Sequence, residues 1–218
     1  PFGTDRLGRD VLSRVLAGSR DILIVAPAAT ALGTLLGTAL GLVTGYFRGI
    51  VDDVTSRVIE AVLALPLIIV AVTALAALGS RSVWTVIAVI GVVFAPIIAR
   101  TVRAAVLAER ELEYVQAAKL RGERAPYVMF VELLPNVMGI VLVEATVRLG
   151  YAIFAVASLT FINFGIQAPS PDWALQINEY YPFLDPSWWT VLFPAAAIAS
   201  LVVAVNLVAD GIQQAYER

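Results

Sequence analysis

No cysteine and no histidine occur among the 218 residues, and lysine occurs once, as Lys119. Without cysteine there is no disulfide and no thiolate site. Without histidine there is no imidazole-based triad, no imidazole metal ligand and no usual neutral-pH proton shuttle. Lys119 stands in AAKLRG, which does not match the phosphate-binding pattern GxxxxGK[ST]. The chain therefore supplies no Walker-type ATP site, and ATP-driven transport would need its ATPase on another polypeptide. Charge is scarce as well: 15% of residues are charged, against about 25% in an average soluble domain. The formal net charge of −2 argues against a nucleic-acid partner. No separate soluble region, low-complexity tract or fixed-period repeat is visible.

What remains is mostly apolar, at 60% of the chain. Uncharged runs of membrane-spanning length predict an all-α polytopic membrane protein in a single domain over 1–218. Five spans are expected, at about 22–47, 61–79, 83–99, 137–159 and 189–209. Pro66 is expected to kink the second, and Pro96 to break the third late. Arg48 to Glu60 reads as a polar turn, and Ser80-Arg81-Ser82 as a tight one. In the first span Gly33, Gly37, Gly41 and Gly45 recur every fourth residue, a spacing that lets another helix backbone approach closely. That packing seam lies either within the bundle or against a second subunit.

The longest polar break, Glu113 to Asn136, organises the rest. It starts acidic and turns basic at Lys119 and Arg121, the order a helix dipole favours. Gly122 falls where a left-handed C-terminal cap is wanted, and Pro126 suits the first turn of a following helix. Pro135 is expected to close that second helix and Asn136 to cap the next. On the first helix Tyr114, Ala117, Ala118 and Arg121 share a face by spacing, and two alanines there admit a close-packed neighbour. The alternative is a plain interfacial helix between two spans.

This break resembles the cytoplasmic coupling loop of bacterial ABC-importer permeases. That family's pattern is Glu-Ala-Ala, three residues, Gly, nine residues, an apolar residue, any residue, Leu, Pro. The chain matches in register at Ala117, Ala118, Gly122, Leu134 and Pro135, and departs at Gln116 and Glu132. Near the N-terminus, Phe2-Gly3-Thr4-Asp5 and Leu7 to Arg14 resemble a signature of the dipeptide, oligopeptide and nickel branch, in the C-type permease of the pair. Ala157 to Leu159, Phe164 to Gln167, Pro169, Pro171 and Trp173 are similar to the family's exit from its penultimate span.

The resemblance implies a type I ABC-importer transmembrane fold. Residues 109–136 would form the cytoplasmic coupling loop, with Glu113, Tyr114, Gln116, Ala117, Ala118, Lys119, Arg121 and Gly122 at the ATPase contact. The implied partners are a second homologous permease, two ATPase subunits carrying ATP and Mg, an extracytoplasmic substrate-binding protein and membrane lipid. The implied cargo is a di- or oligopeptide, with nickel the alternative. The chain begins at Pro1 without Met, and the resemblance places a further span upstream.

Residues 1–20 read as an external amphipathic helix on a surface, with Arg6–Asp10 and Asp10–Arg14 paired four apart. Residues 161–187 read as a long external loop, acidic at Asp172, Glu179 and Asp185 and rich in interfacial aromatics. In the fourth span Glu144 and Arg148 lie four apart near the middle. Each would cost roughly 2.5–3.5 kcal/mol at the bilayer centre, so they are expected to pair and to face protein or water. They either line a substrate path or bond a neighbouring helix.

With 109–136 cytoplasmic, the inner side holds Arg48, Arg57, Arg100, Arg103, Arg110, Lys119, Arg121, Arg124 and Arg218, and the outer side Arg6, Arg9, Arg14, Arg20 and Arg81. Nine against five favours this orientation in the inner membrane, with the C-terminus cytoplasmic. Two other classes are weighed against the importer: an ion-coupled secondary transporter switching through Glu144 and Arg148, and an intramembrane enzyme. The first usually shows internal repeats, which are not visible here. The second has few candidate residues, with no His, no Cys and no pair of aspartates inside two spans.

Overall fold

The computed structural model describes residues 2–80 and 82–216. Pro1, Arg81 of the expected tight turn, and Arg218 of the tail lie outside the described residues. Among the described residues the elements are helical, apart from an isolated antiparallel bridge between Thr4 and Asp10. Four helices are long and apolar enough to cross a membrane, and a bent pair makes a fifth crossing if counted as one.

Helix α1, Val11–Tyr46, is the longest element. The Asp10 carboxylate caps it, accepting from the Ser13 N–H at 2.7 Å. The expected surface helix over 1–20 is thus corrected: from Val11 onward it is the first three turns of α1, and Val11 and Val15 are buried. Arg6 and Arg14 also find partners other than Asp10. The Arg6 guanidinium lies 3.8 Å from the Phe183 ring centre, and Arg14 pairs with Glu179 at 3.5 Å.

The four-step glycines face α4, Val83–Glu109, within the same chain. A Cβ added to Gly37 would stand 2.6 Å from Ile98 Cβ, and one added to Gly41 2.7 Å from Val102 Cβ. Gly33 and Gly45 meet Gly91 and Val106 in the same way. The seam is therefore internal, and it brings the backbones of α1 and α4 close together. Helix α4 passes through Pro96 and continues to Glu109, beyond the expected end at Ala99. Arg103 does not end it, because arginine is a good helix former and the charge limits only the lipid-facing stretch. Arg103 holds Asp52 with Nε–Oδ1 and Nη2–Oδ2 distances of 2.5 and 2.7 Å.

Asp52 belongs to α2, Ile50–Leu63, so the expected polar turn at 48–60 is mostly helix. Beyond it, α3, Leu67–Leu78, turns away by 92°. The second span is corrected accordingly: not one kinked rod over 61–79 but two helices at a right angle. Pro66 has no N–H to continue the ladder and restricts Leu65 before it. At about 1.5 Å per residue, the twelve residues of α3 fall well short of a hydrocarbon core about 30 Å thick.

After the elbow helix α5, Glu113–Leu120, the chain runs as a continuous helix from Ala125 to Phe161. It comprises α6, Ala125–Tyr127, a π-helical turn over Val128–Leu133, and α7, Leu134–Phe161. Pro135 does not end a helix and Asn136 does not cap the next, contrary to the expectation from sequence. The wider turn absorbs the hydrogen bond Pro135 cannot make. Asn136 instead donates its Nδ2 to the Glu132 carbonyl at 2.6 Å.

The expected loop over 161–187 contains a helix, α8, Trp173–Tyr180, and a short 3-10 turn, Tyr181–Phe183. Helix α9, Trp189–Tyr216, closes the bundle. At this end the N-terminal segment and α8 are laced together. Trp173 Nε1 donates to the Val15 carbonyl at 2.6 Å, and Arg9 Nε donates to Asp5 Oδ2 at 2.6 Å. The Tyr180 hydroxyl donates to the same carboxylate at 2.9 Å, and Phe2 stacks on Phe193 at 3.8 Å.

Asp172 caps α8, accepting from the N–H groups of Ala174 and Leu175 at 2.9 and 3.1 Å, and is itself only 1% exposed. Burial, aided by the charge of Asp21, pushes its carboxyl up to about 6 against the pull of those two bonds. A carboxyl raised above its unfolded value binds a proton more readily when folded, so its contribution to stability is lost as pH rises through about 6. Amide-exchange protection of α8, corrected for intrinsic exchange, is therefore expected to be higher at pH 5 than at pH 7.5. In Asp172→Asn, which keeps a capping side chain, that difference should vanish. An unchanged pH dependence in the variant would exclude Asp172 as its source.

Candidate functional site

The elbow is built at the end of the bundle opposite α8. Gly122 has φ +81°, and its N–H reaches the Lys119 carbonyl at 3.0 Å while the Glu123 N–H reaches Ala118 at 3.2 Å. That pair of bonds is a Schellman cap, which turns the chain sharply and frees it to start again at Ala125. Pro126 lies in the first turn of the new helix.

The elbow helix shows two faces. Val115 and Ala118 are buried and pack toward the Val128–Leu133 turn. Glu113, Gln116, Ala117, Arg121 and Gly122 are exposed, and Tyr114 and Lys119 are half-buried. The shared face expected for Tyr114, Ala117, Ala118 and Arg121 is therefore corrected. Ala118, at 0% exposure, turns inward and only Ala117 is presented outward. Adjacent residues stand about 100° apart around a helix, so with Ala118 on the packed side Ala117 is turned toward the open one. Leu120, absent from the residues singled out in the sequence, is 90% exposed and stands on the outer face.

Polar bonds fix the elbow to three helices. The Tyr114 hydroxyl donates to Glu109 at 2.8 Å, and burial together with that carboxylate pushes its pKa up. Gln116 Nε2 donates to the Arg110 carbonyl at 3.2 Å. Arg110 in turn donates Nη1 to the Tyr46 carbonyl at 2.7 Å, gripping the last turn of α1. The Lys119 ammonium lies 5.7 Å from the Tyr46 ring centre. Arg121 Nη2 reaches Glu132 at 3.2 Å. Glu132, which departs from the apolar pattern, thus has a partner contributed by the elbow.

Farther along α7, Arg148 Nε donates to Glu144 Oε1 at 2.6 Å, and both side chains are largely buried. Arg148 lines a cavity of about 340 Å³ between α3, α4 and α7. Its other walls are apolar or aromatic, including Leu67, Phe94, Tyr151 and Phe154. Glu144 faces a second space, lined also by Thr101, Asn136 and Gln213. The pair thus reaches from one space into the other. No cluster of three or more potential metal ligands occurs among the described residues.

Residues 37–218 match the family model described as "Binding-protein-dependent transport system inner membrane component". The chain belongs to that family. Similar to this inner membrane component is the "Dipeptide transport system permease protein DppC" of Alkalihalophilus pseudofirmus, 37% identical over 99% of this chain and 71% of that protein. So is the "Di/tripeptide transport system permease protein DppC" of Pseudomonas aeruginosa, 36% identical over the same shares. Among solved structures, the MetNI methionine ABC transporter in inward-facing conformations superposes with a TM-score of 0.77. That match has 19% identity and covers 95% of this chain and 98% of the other. An amino acid ABC transporter matches at 0.58, with 16% identity, covering 94% and 98%. These two carry the fold alone. The inner membrane component therefore has the ABC-importer transmembrane fold and is a multi-pass importer permease.

Arg110 and Leu120 are the elbow residues that sequence reasoning missed in this permease. Leu120 continues the i, i+3, i+4 face of Gln116 and Ala117, a signal available from spacing. Arg110 gave no such signal, because its partners are backbone carbonyls of a helix over sixty residues away in sequence.

Proposed function

We infer that this permease is one of two homologous subunits forming the membrane pathway of an ATP-driven importer of di- or oligopeptides. Two ATPase subunits carry ATP and Mg, and one of them docks on the exposed edge of α5. An extracytoplasmic substrate-binding protein delivers cargo at the α8 end. The elbow and the C-terminus face the cytoplasm, a reading supported by the excess of basic residues on that side. Hydrolysis resides on the partners, in keeping with the missing phosphate-binding loop.

The observation that carries this reading is the capped elbow helix. It is short, exposed along Glu113, Gln116, Ala117, Leu120 and Arg121, and tied to α4 by Tyr114–Glu109, to the helix leading into α7 by Arg121–Glu132, and to α1 by Lys119 over the Tyr46 ring. A push on α5 reaches three membrane helices at once, as alternating access by rigid-body motion requires. The peptide assignment draws on the relatives named for dipeptide transport.

The test is purification of the tagged permease from its native membrane in mild detergent, followed by uptake assays in vesicles. Two ATPase subunits and a second permease are expected to co-purify, and dipeptide uptake should require ATP. Uptake that survives loss of the ATPases but collapses with an uncoupler would make this a secondary transporter instead.

A further inference from the structure

The α3–α4–α7 cavity holds one charged wall residue, Arg148, among apolar and aromatic ones. A guanidinium offers five N–H donors. In Arg148 only Nε is engaged by the protein, toward Glu144 at 2.6 Å, and the group lies 5.1 Å from the Tyr151 ring centre. The Nη edge, the fork that matches a carboxylate in bidentate fashion, has no protein partner among the described residues. Glu144 holds the fork in place and cancels its charge when the cavity is empty, as a charge at this depth requires.

We propose that this cavity is a ligand site on the translocation path that reads a free carboxylate with the Nη edge of Arg148. The aromatic wall of Tyr151, Phe154 and Phe94 takes the ligand's apolar body. The fitting ligand is a small zwitterion with a free carboxylate and a free ammonium. The carboxylate alone would leave the site with an excess negative charge, and an ammonium within reach of Glu144 removes it. Glu144 lines the adjoining space and not this cavity, so the ligand crosses the pair, its carboxylate in the cavity and its ammonium on the far side. Two extended residues span at most about 7 Å, enough to pass side chains held 2.6 Å apart. Glu144 is a positioning residue in the empty site and the ammonium's partner in the filled one. The site's place on an import path rests on the importer reading above.

The chain has no cysteine, so one introduced at Ala155 in the cavity wall is its only thiol. Ala155 lies two turns from Arg148 and three from Glu144 along the same helix, so it senses the arginine first. In the purified complex, Ala155→Cys is treated with carboxyethyl, ethyl or aminoethyl methanethiosulfonate, and labelling of this chain is followed by mass. The carboxyethyl reagent is expected to react on the order of tenfold faster than the aminoethyl one, after correction for their rates with a free thiol. Arg148→Gln should erase that preference. Arg148→Lys, which keeps the charge and loses the fork, is the second variant should the first not assemble, and it should retain only part of the preference. Alanylalanine should slow labelling more than either its C-terminal amide or its N-acetyl form. Equal rates for all three reagents, or a preference untouched by both Arg148 variants, would overturn the carboxylate site. Equal protection by alanylalanine and its N-acetyl form would remove the ammonium from the proposal. An Arg148-dependent preference with no protection by any dipeptide would uphold the carboxylate site and count against the peptide-importer reading instead.

Discussion

Arginine at Ala117 should abolish uptake while leaving the permease folded, whereas arginine at Ala118 should prevent folding itself. Ala117 is on the exposed edge of α5, so a long cation there meets solvent in the isolated chain and a partner only in the assembled importer. Ala118 has no exposure and belongs to the core with Val115, Val128 and Leu133. A guanidinium forced into that space is both overpacked and unpaired, a destabilisation of roughly 3 kcal/mol or more. The measurement pairs uptake in vesicles with thermal unfolding of the purified chain. Ala117→Arg should unfold like wild type, lose transport and release the ATPases or leave their activity unresponsive to substrate. Wild-type uptake with Ala117→Arg would refute α5 as the docking edge. Normal unfolding of Ala118→Arg would mean the alanine is not packed as described.

The second large effect concerns the α1–α4 seam. Leucine at Gly37 or Gly41 should remove most folded permease from the membrane. The first added carbon at Gly37 already falls 2.6 Å from Ile98 Cβ and 2.7 Å from the Ala95 carbonyl oxygen. Neither neighbour is the free end of a flexible side chain, so the helices must separate. In lipid, close packing of this kind is the main source of helix association, because the tails are as apolar as leucine. Losses of only 1–2 kcal/mol change abundance several-fold, and this substitution exceeds that. Gly33→Ala should be milder, since its added carbon stands 3.0 Å from the Gly91 carbonyl oxygen. Trimming the partner should restore part of the loss, so Gly37→Ala with Ile98→Ala is expected to accumulate better than Gly37→Ala alone. Additive losses in that pair would mean the two residues are not in contact.

Some of this architecture was legible without coordinates, because backbone chemistry and the cost of charge in lipid act locally. Gly122 announced the bend, since a left-handed cap favours a residue without Cβ. The strict step of Gly33, Gly37, Gly41 and Gly45 announced a close helix contact, and Glu144 and Arg148 announced a pair. Helix ends are less legible, because neither a proline nor an arginine says by itself whether a helix stops there. Pro96 and Pro135 sit inside continuous helices, the latter relieved by a π-turn, and Arg103 sits within a helix that its propensity favours while its charge pairs with Asp52. Pro66 did break its helix, by 92° rather than by a kink.

Composition and spacing by themselves determined that the chain lives in lipid, has no phosphate-binding loop, and carries a capped elbow between two membrane segments. Those features depend on residue type and on neighbours three or four positions away, so they are fixed before any helix meets another. Only the tertiary structure decided that the glycine seam faces α4, that Ala118 turns inward while Ala117 and Leu120 turn out, and that Arg148 opens onto an aromatic-walled cavity. Those facts depend on which helices lie side by side, and that choice is made by packing between residues far apart in the chain, where local periodicity carries no information.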